Sequence, residues 1–309
     1  MFTPLYPLPP MLQGTVTQAD YNTWVLRKAR ELFSKDLKRN RAYALAGSRK
    51  KYRDEIHGAV MENGITDPFS GDKLKWDLIL KWDDSKDKGH QNFVKKFYLL
   101  PTADHKDPYG KDLDFEICSW LINSCKNDQT PEEFIKMCAD IVKHRRSKSA
   151  ANSTGHHLSD GPLSVPQVFF LPPFLNGICT EAVYRKWLDR HAGTIYLRDR
   201  KQRRPYALSG SKGLYKKAIH AAVNASGLCD PFTGETMKWE IIGTWDPAKI
   251  KDQPDGFKKF YLLPTVDHVN PYADILEFEI CSWRINCCKS GLTPNEFVEV
   301  CRKVVEHTK

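Results

Sequence analysis

Phe97-Tyr98-Leu99-Leu100-Pro101-Thr102-Ala103-Asp104-His105 and the later run Phe115-Glu116-Ile117-Cys118-Ser119-Trp120-Leu121-Ile122-Asn123-Ser124-Cys125-Lys126 decide how this chain folds. Both return as Phe260-Tyr261-Leu262-Leu263-Pro264-Thr265-Val266-Asp267-His268 and Phe278-Glu279-Ile280-Cys281-Ser282-Trp283-Arg284-Ile285-Asn286-Cys287-Cys288-Lys289. Each copy reads as an apolar strand ending in Asp-His, a loop, a short second strand, and a helix carrying Asn and Lys on its first turns. That order of elements is expected to let three polar side chains converge: Asp and His leave the end of the strand on opposite faces, and the Asn comes from a helix packed back across the hairpin. Asp and Asn oxygens suit a hard cation such as Mg²⁺. A neutral His beside the ion can take a proton from water, and metal plus base is an arrangement for hydrolysing a phosphodiester.

The repeat extends well beyond this stretch. Pro10, Gly14, Tyr21, Trp24, Asp36, Tyr43, His57, Trp76, Trp82 and Cys138 recur as Pro173, Gly177, Tyr184, Trp187, Asp199, Tyr206, His220, Trp239, Trp245 and Cys301. Every pair is 163 residues apart, as His105 and His268 are, so a whole domain is duplicated without net insertion. That period is far longer than a solenoid repeat. The expected organisation is a first domain over 1–146, a flexible linker over 147–166 and a second domain over 167–309. The linker is rich in Ser, Ala, Asn and Gly and holds His156 and His157, for which a metal role is the minor reading.

Within each domain a helix is expected from the N-cap candidates Thr17 and Thr180, reaching about Leu32 in the first copy. Tyr21, Trp24, Val25 and Leu32 form its apolar face. A basic region follows: Lys35, Lys38, Arg39, Arg41, Arg49, Lys50, Lys51 and Arg53, then Arg198, Arg200, Lys201, Arg203, Arg204, Lys212, Lys216 and Lys217. Its second half opens a helix at Ser48 or Ser211. These side chains are candidates for phosphate contact, set against the plainer reading of a solvated charged face. His57 and His220, beside the apolar stripe of that helix, read as packed, hydrogen-bonded residues. Asp67-Pro68-Phe69-Ser70-Gly71 and Asp230-Pro231-Phe232-Thr233-Gly234 are turns, with Pro setting φ and Gly permitting positive φ. Leu74–Leu80 and Met237–Ile242 after them read as strands. Thr130-Pro131-Glu132-Glu133 and Thr293-Pro294-Asn295-Glu296 are capping boxes that open a last, covering helix in each copy.

A formal net charge of +9 favours a polyanionic partner. Nine cysteines occur without a C-x-x-C pair, which argues against a zinc knuckle and for buried free thiols in a reducing compartment. The first ten residues lack a basic start and an apolar core, and no run of about eighteen apolar residues exists. The expectation is an intracellular, cytoplasmic protein with no signal peptide and no membrane span.

Asp-His, a short strand, then Ser-Trp-x-x-Asn-x-x-Lys resembles the HNH, or ββα-metal, nuclease family over roughly thirty residues of each copy, here without a zinc knuckle. The resemblance implies Asp104, Asn123, Asp267 and Asn286 as ligands of a divalent ion, Mg²⁺ or Mn²⁺, and His105 and His268 as general bases. It also implies that Lys126, Lys289 and Arg284 lie near flanking phosphates. Asp114 and Glu277 stand where the family usually has Asn, and Leu121 stands where it more often has the Arg seen at position 284. The second copy is therefore nearer the pattern. The expected fold is α+β: two tandem homologous domains, each with a helical N-terminal part, an HNH-like hairpin-helix core and a C-terminal helix. The expected function is a metal-dependent endonuclease acting on double-stranded DNA. The alternative is a non-catalytic nucleic-acid-binding protein with a degenerate HNH fold.

Overall fold

The computed structural model describes residues 6–81, 95–148, 169–244 and 258–309. It is mixed α and β, mostly helical, with two small antiparallel sheets of two strands each. The described chain falls into two compact units. The first takes in 6–138, Lys258 and Glu299–Lys309, and the second takes in 139–148, 169–244 and Lys259–Val298. Each unit therefore includes the end of a helix that begins in the other half of the sequence. Trp82, Trp245, most of the expected linker with His156 and His157, and the charged loop at 83–90 lie outside the described residues.

In the first unit, α1 (Gln18–Lys38) starts where Thr17 accepts the Asp20 N–H and buries Tyr21, Trp24, Val25, Ala29 and Asp36. It runs past the expected end at Leu32, because no Gly or Pro interrupts it before Lys38. Lys35, Asp36 and Lys38 therefore ride on a helix and not in a loop. A short α2 (Ala42–Leu45) leads to α3 (Arg49–Asn63), capped by Ser48 and buried through Tyr52, Ile56, Ala59 and Val60. Tyr21, Trp24 and Trp76 stack into one aromatic core between the helices. The second unit repeats this with α6 (Glu181–Lys201), α7 (Pro205–Ser209) and α8 (Lys212–Ser226).

The Asp67 turn locks this helical part to the hairpin. One Asp67 carboxylate oxygen accepts the Phe69 and Ser70 N–H groups at 2.9 Å, and the other accepts the Ser119 N–H at 2.7 Å. Asp230 does the same with Phe232, Thr233 and Ser282. Gly71 and Gly234 take φ of 69° and 76°, as such a turn requires. The run after the turn is not a strand. It holds a one-turn 3₁₀ helix at Trp76–Leu78 or Trp239–Ile241, preceded by an isolated bridge. Leu74 and Trp76 alternate as a strand would, but both are consumed by the core. The backbone here donates from Leu74 N–H to Ile65 O and from Lys75 N–H to Leu99 O, before Leu80 turns to a φ of 61°.

β1 (Pro101–His105) is shorter than the apolar run suggests, because Phe97 to Leu100 form a turn. It pairs antiparallel with β2 (Phe115–Ser119), setting Asp104 opposite Glu116 and His105 opposite Phe115. Ser119 caps α4 (Trp120–Lys126), and the predicted capping box at Thr130 opens α5 (Pro131–Lys148). β3 (Pro264–His268), β4 (Phe278–Ser282), α9 (Trp283–Lys289) and α10 (Pro294–His307) repeat this order and register. In the first unit the end of α10 reaches the Asp67 turn, where Lys303 lies 3.1 Å from the Asp72 carboxylate. Cys118, Cys125, Cys138, Cys281, Cys288 and Cys301 are free and buried. Among the described residues no helix is long and apolar enough to cross a membrane.

Asp67→Ala removes one acceptor from three buried or half-buried N–H groups at once. It is expected to cost about 2–3 kcal/mol in urea unfolding, and Asp67→Asn less, because an amide oxygen still accepts.

Candidate functional site

Asp and His leave the strand end on opposite faces and do not converge: the Asp meets the Lys of the quoted motif, whereas the His meets a partner outside it. His105 lies against α1 and α3. Its Nε2 is 2.9 Å from Asp36 Oδ2, to which Tyr52 also donates at 2.9 Å. Burial alone would raise the Asp36 carboxyl. The hydrogen bonds from His105 and Tyr52 and the nearby Arg41 outweigh it and hold that group below its ordinary value. Asp36 is therefore an anion that only accepts, so His105 Nε2 carries the proton between them. Phe115 and Tyr43 flank the ring, with centroids 4.8 and 5.9 Å away.

The second unit repeats the arrangement at the same distances: His268 Nε2 and the Tyr215 hydroxyl each lie 2.9 Å from Asp199 Oδ2. One feature differs. Arg198 Nη2 reaches His268 Nδ1 at 3.2 Å, and the aligned residue of the first copy is Lys35. Burial pulls the His268 pKa down in spite of Asp199, and Arg204 and Arg198 pull the same way.

On the opposite face of the hairpin, Asp104 and Glu116 point toward α4 and meet Lys126. The Lys126 ammonium is fully buried, 2.8 Å from Asp104 Oδ2, 3.6 Å from Glu116 Oε1, and donates to the His105 carbonyl at 2.9 Å. Lys289 stands likewise 3.0 Å from Asp267 and 3.6 Å from Glu279, and donates to the His268 carbonyl. Burial works against the charged form of Lys126, but the two carboxylates outweigh it and raise its pKa. Burial lifts Glu116 and Glu279 to about 7, against the pull of the lysines. Burial likewise lifts Asp267 in spite of Lys289.

The expected metal ligands fit a resident divalent ion poorly. Asp104 and Asp267 already meet a buried cation, in the space between hairpin and helix where the ion was expected. A second cation there would face that ammonium at close range in a medium of low polarity. Asn286 lies on α9, but its Nδ2 donates to Thr265 Oγ1 and the Val266 carbonyl at 3.3 and 3.2 Å. Asn123 is half-buried on α4. Among the described residues no group of three or more His, Cys, Asp or Glu could hold a metal.

The remaining candidates divide by exposure. Lys126 and Lys289 have no surface to offer a phosphate. Arg284 is held by Glu235 at 2.6 Å. Arg49, Lys50, Lys51 and Lys212 are exposed, and Lys216 and Lys217 are half-buried. Lys50 pairs with Asp54 at 2.8 Å, and Lys216 pairs with Asp189 at 2.8 Å. His57 and His220 are packed and hydrogen-bonded, each 2.7 Å from the hydroxyl of Tyr21 or Tyr184. Motif reasoning missed Asp36, Tyr52, Asp199 and Tyr215 as partners of the histidines. The available signal was that Asp36 and Asp199, two carboxylates inside an otherwise basic run, recur in register. No family model, curated protein or solved structure matches the chain.

Two outcomes follow from the buried charges. The native state keeps protons on Glu116 and Glu279 up to about pH 7, whereas a free Glu releases its proton near 4.5. These groups therefore make stability fall as pH rises through that window. A Glu116→Gln, Glu279→Gln variant should gain in melting temperature relative to wild type between those two pH values. Lys126→Ala leaves a buried carboxylate without its cation and should cost about 3–5 kcal/mol in urea unfolding at pH 8.

Proposed function

We propose that this chain is a nucleic-acid-binding protein in which two HNH-like hairpin cores serve as scaffolds. The carrying observation is where the charges are spent. In both copies the hairpin's Asp, Glu and Lys neutralise one another inside the fold. Arg49, Lys50 and Lys51 stand exposed at the start of α3, in a chain of net charge +9. Exposed cations near a helix start suit backbone phosphates, which contribute affinity without reading sequence. Double-stranded DNA is the substrate class carried over from the family resemblance.

A second reading, a metal-dependent nuclease using His105 and His268, is favoured by one feature. A carboxylate holds Nε2–H of each imidazole, so in the neutral ring Nδ1 is the basic nitrogen, the form a general base requires. In the second copy Arg198 covers that nitrogen, so the first copy presents the freer base.

Fluorescence anisotropy with a labelled duplex tests the binding reading. Affinity is expected to fall steeply and linearly on a log–log plot against salt. Affinity that is absent at low salt, or indifferent to it, would reject the proposal. A plasmid-nicking assay with Mg²⁺ or Mn²⁺ separates the two readings. No metal-dependent nicking above background is expected. Nicking that disappears in the His105→Ala, His268→Ala double variant would establish the nuclease.

A further inference from the structure

The two copies match closely at the hairpin and differ on one outer face. In the first unit a cleft of about 470 Å³ lies between α1 and α3, and its lining includes Thr23, Leu26, Arg27, Arg30, Arg49 and Arg53. Four guanidinium groups thus share one concavity. Arg27 has a distant carboxylate, Glu31 at 3.7 Å, and Arg49 lies 6.0 Å over the Phe33 ring. The Nε atoms of Arg27 and Arg53 are buried without a hydrogen-bond partner among the described residues. Four guanidiniums around one concavity, answered among the described residues only by the distant Glu31, suit incoming acceptor oxygens.

The second copy shows what the same framework looks like with this feature removed. The aligned residues are Asp189, Arg190, Gly193, Lys212 and Lys216, in place of Leu26, Arg27, Arg30, Arg49 and Arg53. Asp189 pairs with Lys216 at 2.8 Å and draws Lys212 to 3.9 Å. The Lys212 side chain lies over Gly193, with its Cε 3.4 Å from where a Cβ would stand. Lys216 also sits 5.2 Å above the Phe169 ring. The second unit answers its own cations with a carboxylate and covers the position of Arg30 with a lysine stem.

We infer that the arginine cleft of the first unit binds neighbouring phosphate groups of a nucleic-acid backbone, and that the second unit has no counterpart. Four planar guanidiniums offer paired N–H donors that match phosphate oxygens two at a time. Leu26, 47% exposed on the cleft wall, offers an apolar contact for a sugar. The identity of the ligand rests on the nucleic-acid reading above, whereas the phosphate chemistry of the site does not.

The test uses the full chain, wild type and Arg30→Gln with Arg53→Gln, and two probes: inorganic pyrophosphate by calorimetry and a labelled duplex by anisotropy. Both substitutions remove the guanidinium while keeping a comparable helix propensity, and an unchanged urea midpoint verifies the fold. One pyrophosphate is expected per chain, and its binding should be lost in the variant. Duplex affinity should drop at least about tenfold, and the salt slope should flatten by about two, near 0.9 for each phosphate released. Duplex binding that the variant leaves untouched would overturn the cleft while sparing the nucleic-acid reading. Pyrophosphate binding lost in the variant, with no duplex binding by wild type, would uphold the phosphate site and sink the nucleic-acid reading. Two pyrophosphates per chain would overturn the asymmetry between the copies.

Discussion

A single buried carboxylate joins the halves of each folding unit. Asp36 leaves α1 and accepts from Tyr52 on α3 and from His105 at the end of β1, and Asp199 repeats this with Tyr215 and His268. Apart from the Asp67 and Asp230 turns, most of the contact between helices and hairpin is apolar, which is strong but not directional. A charged acceptor with two donors fixes the angle at which the hairpin meets the helices, because leaving any member unpaired inside the protein is costly. The position of the histidine and the proton on its Nε2 follow from that constraint, and so does the stacking of Tyr43 and Phe115 on its ring.

The opposite face of the hairpin obeys the same rule with the charges reversed. Lys126 and Lys289 are buried cations, tolerable because two carboxylates and a backbone carbonyl surround each one. A lysine in this position does structurally what a bound ion would do: it draws the acidic strand ends toward the helix. Internal neutralisation leaves the outer arginines and lysines as the charge available to a partner. The copies diverge at this outer layer, where Asp189 and Gly193 stand in place of Leu26 and Arg30. The shared core is bound by packing and pairing, whereas the surface is free to vary.

Much of the fold is legible in the sequence. The caps at Thr17, Ser48, Thr130 and their counterparts, the Asp67 and Asp230 turns, and the two hairpins each depend on residues a few positions apart. Leu74–Leu80 was misread because alternation of Leu and Trp fits a strand and a buried 3₁₀ turn equally well, and only the missing partner strand distinguishes them. The candidate site was half legible. Asp104, His105 and Asn123 were expected to converge, but Asp104 meets Lys126 on one face of the hairpin and His105 meets Asp36 on the other. That the lysine would enter the space between the carboxylates, and that a helix residue 69 positions earlier would hold the histidine, was not readable from the motif.

Sequence alone determined the duplication, the capped starts of the long helices, the Asp turns and the antiparallel hairpins, because periodicity and short-range hydrogen bonding govern all of these. The tertiary structure decided which charges meet. Asp36 and Lys126 are one carboxylate and one ammonium among many in the chain, and nothing local marks them for burial. Their roles arise when packing removes water from around them, and a charge in that situation must find its complement wherever the fold has placed one.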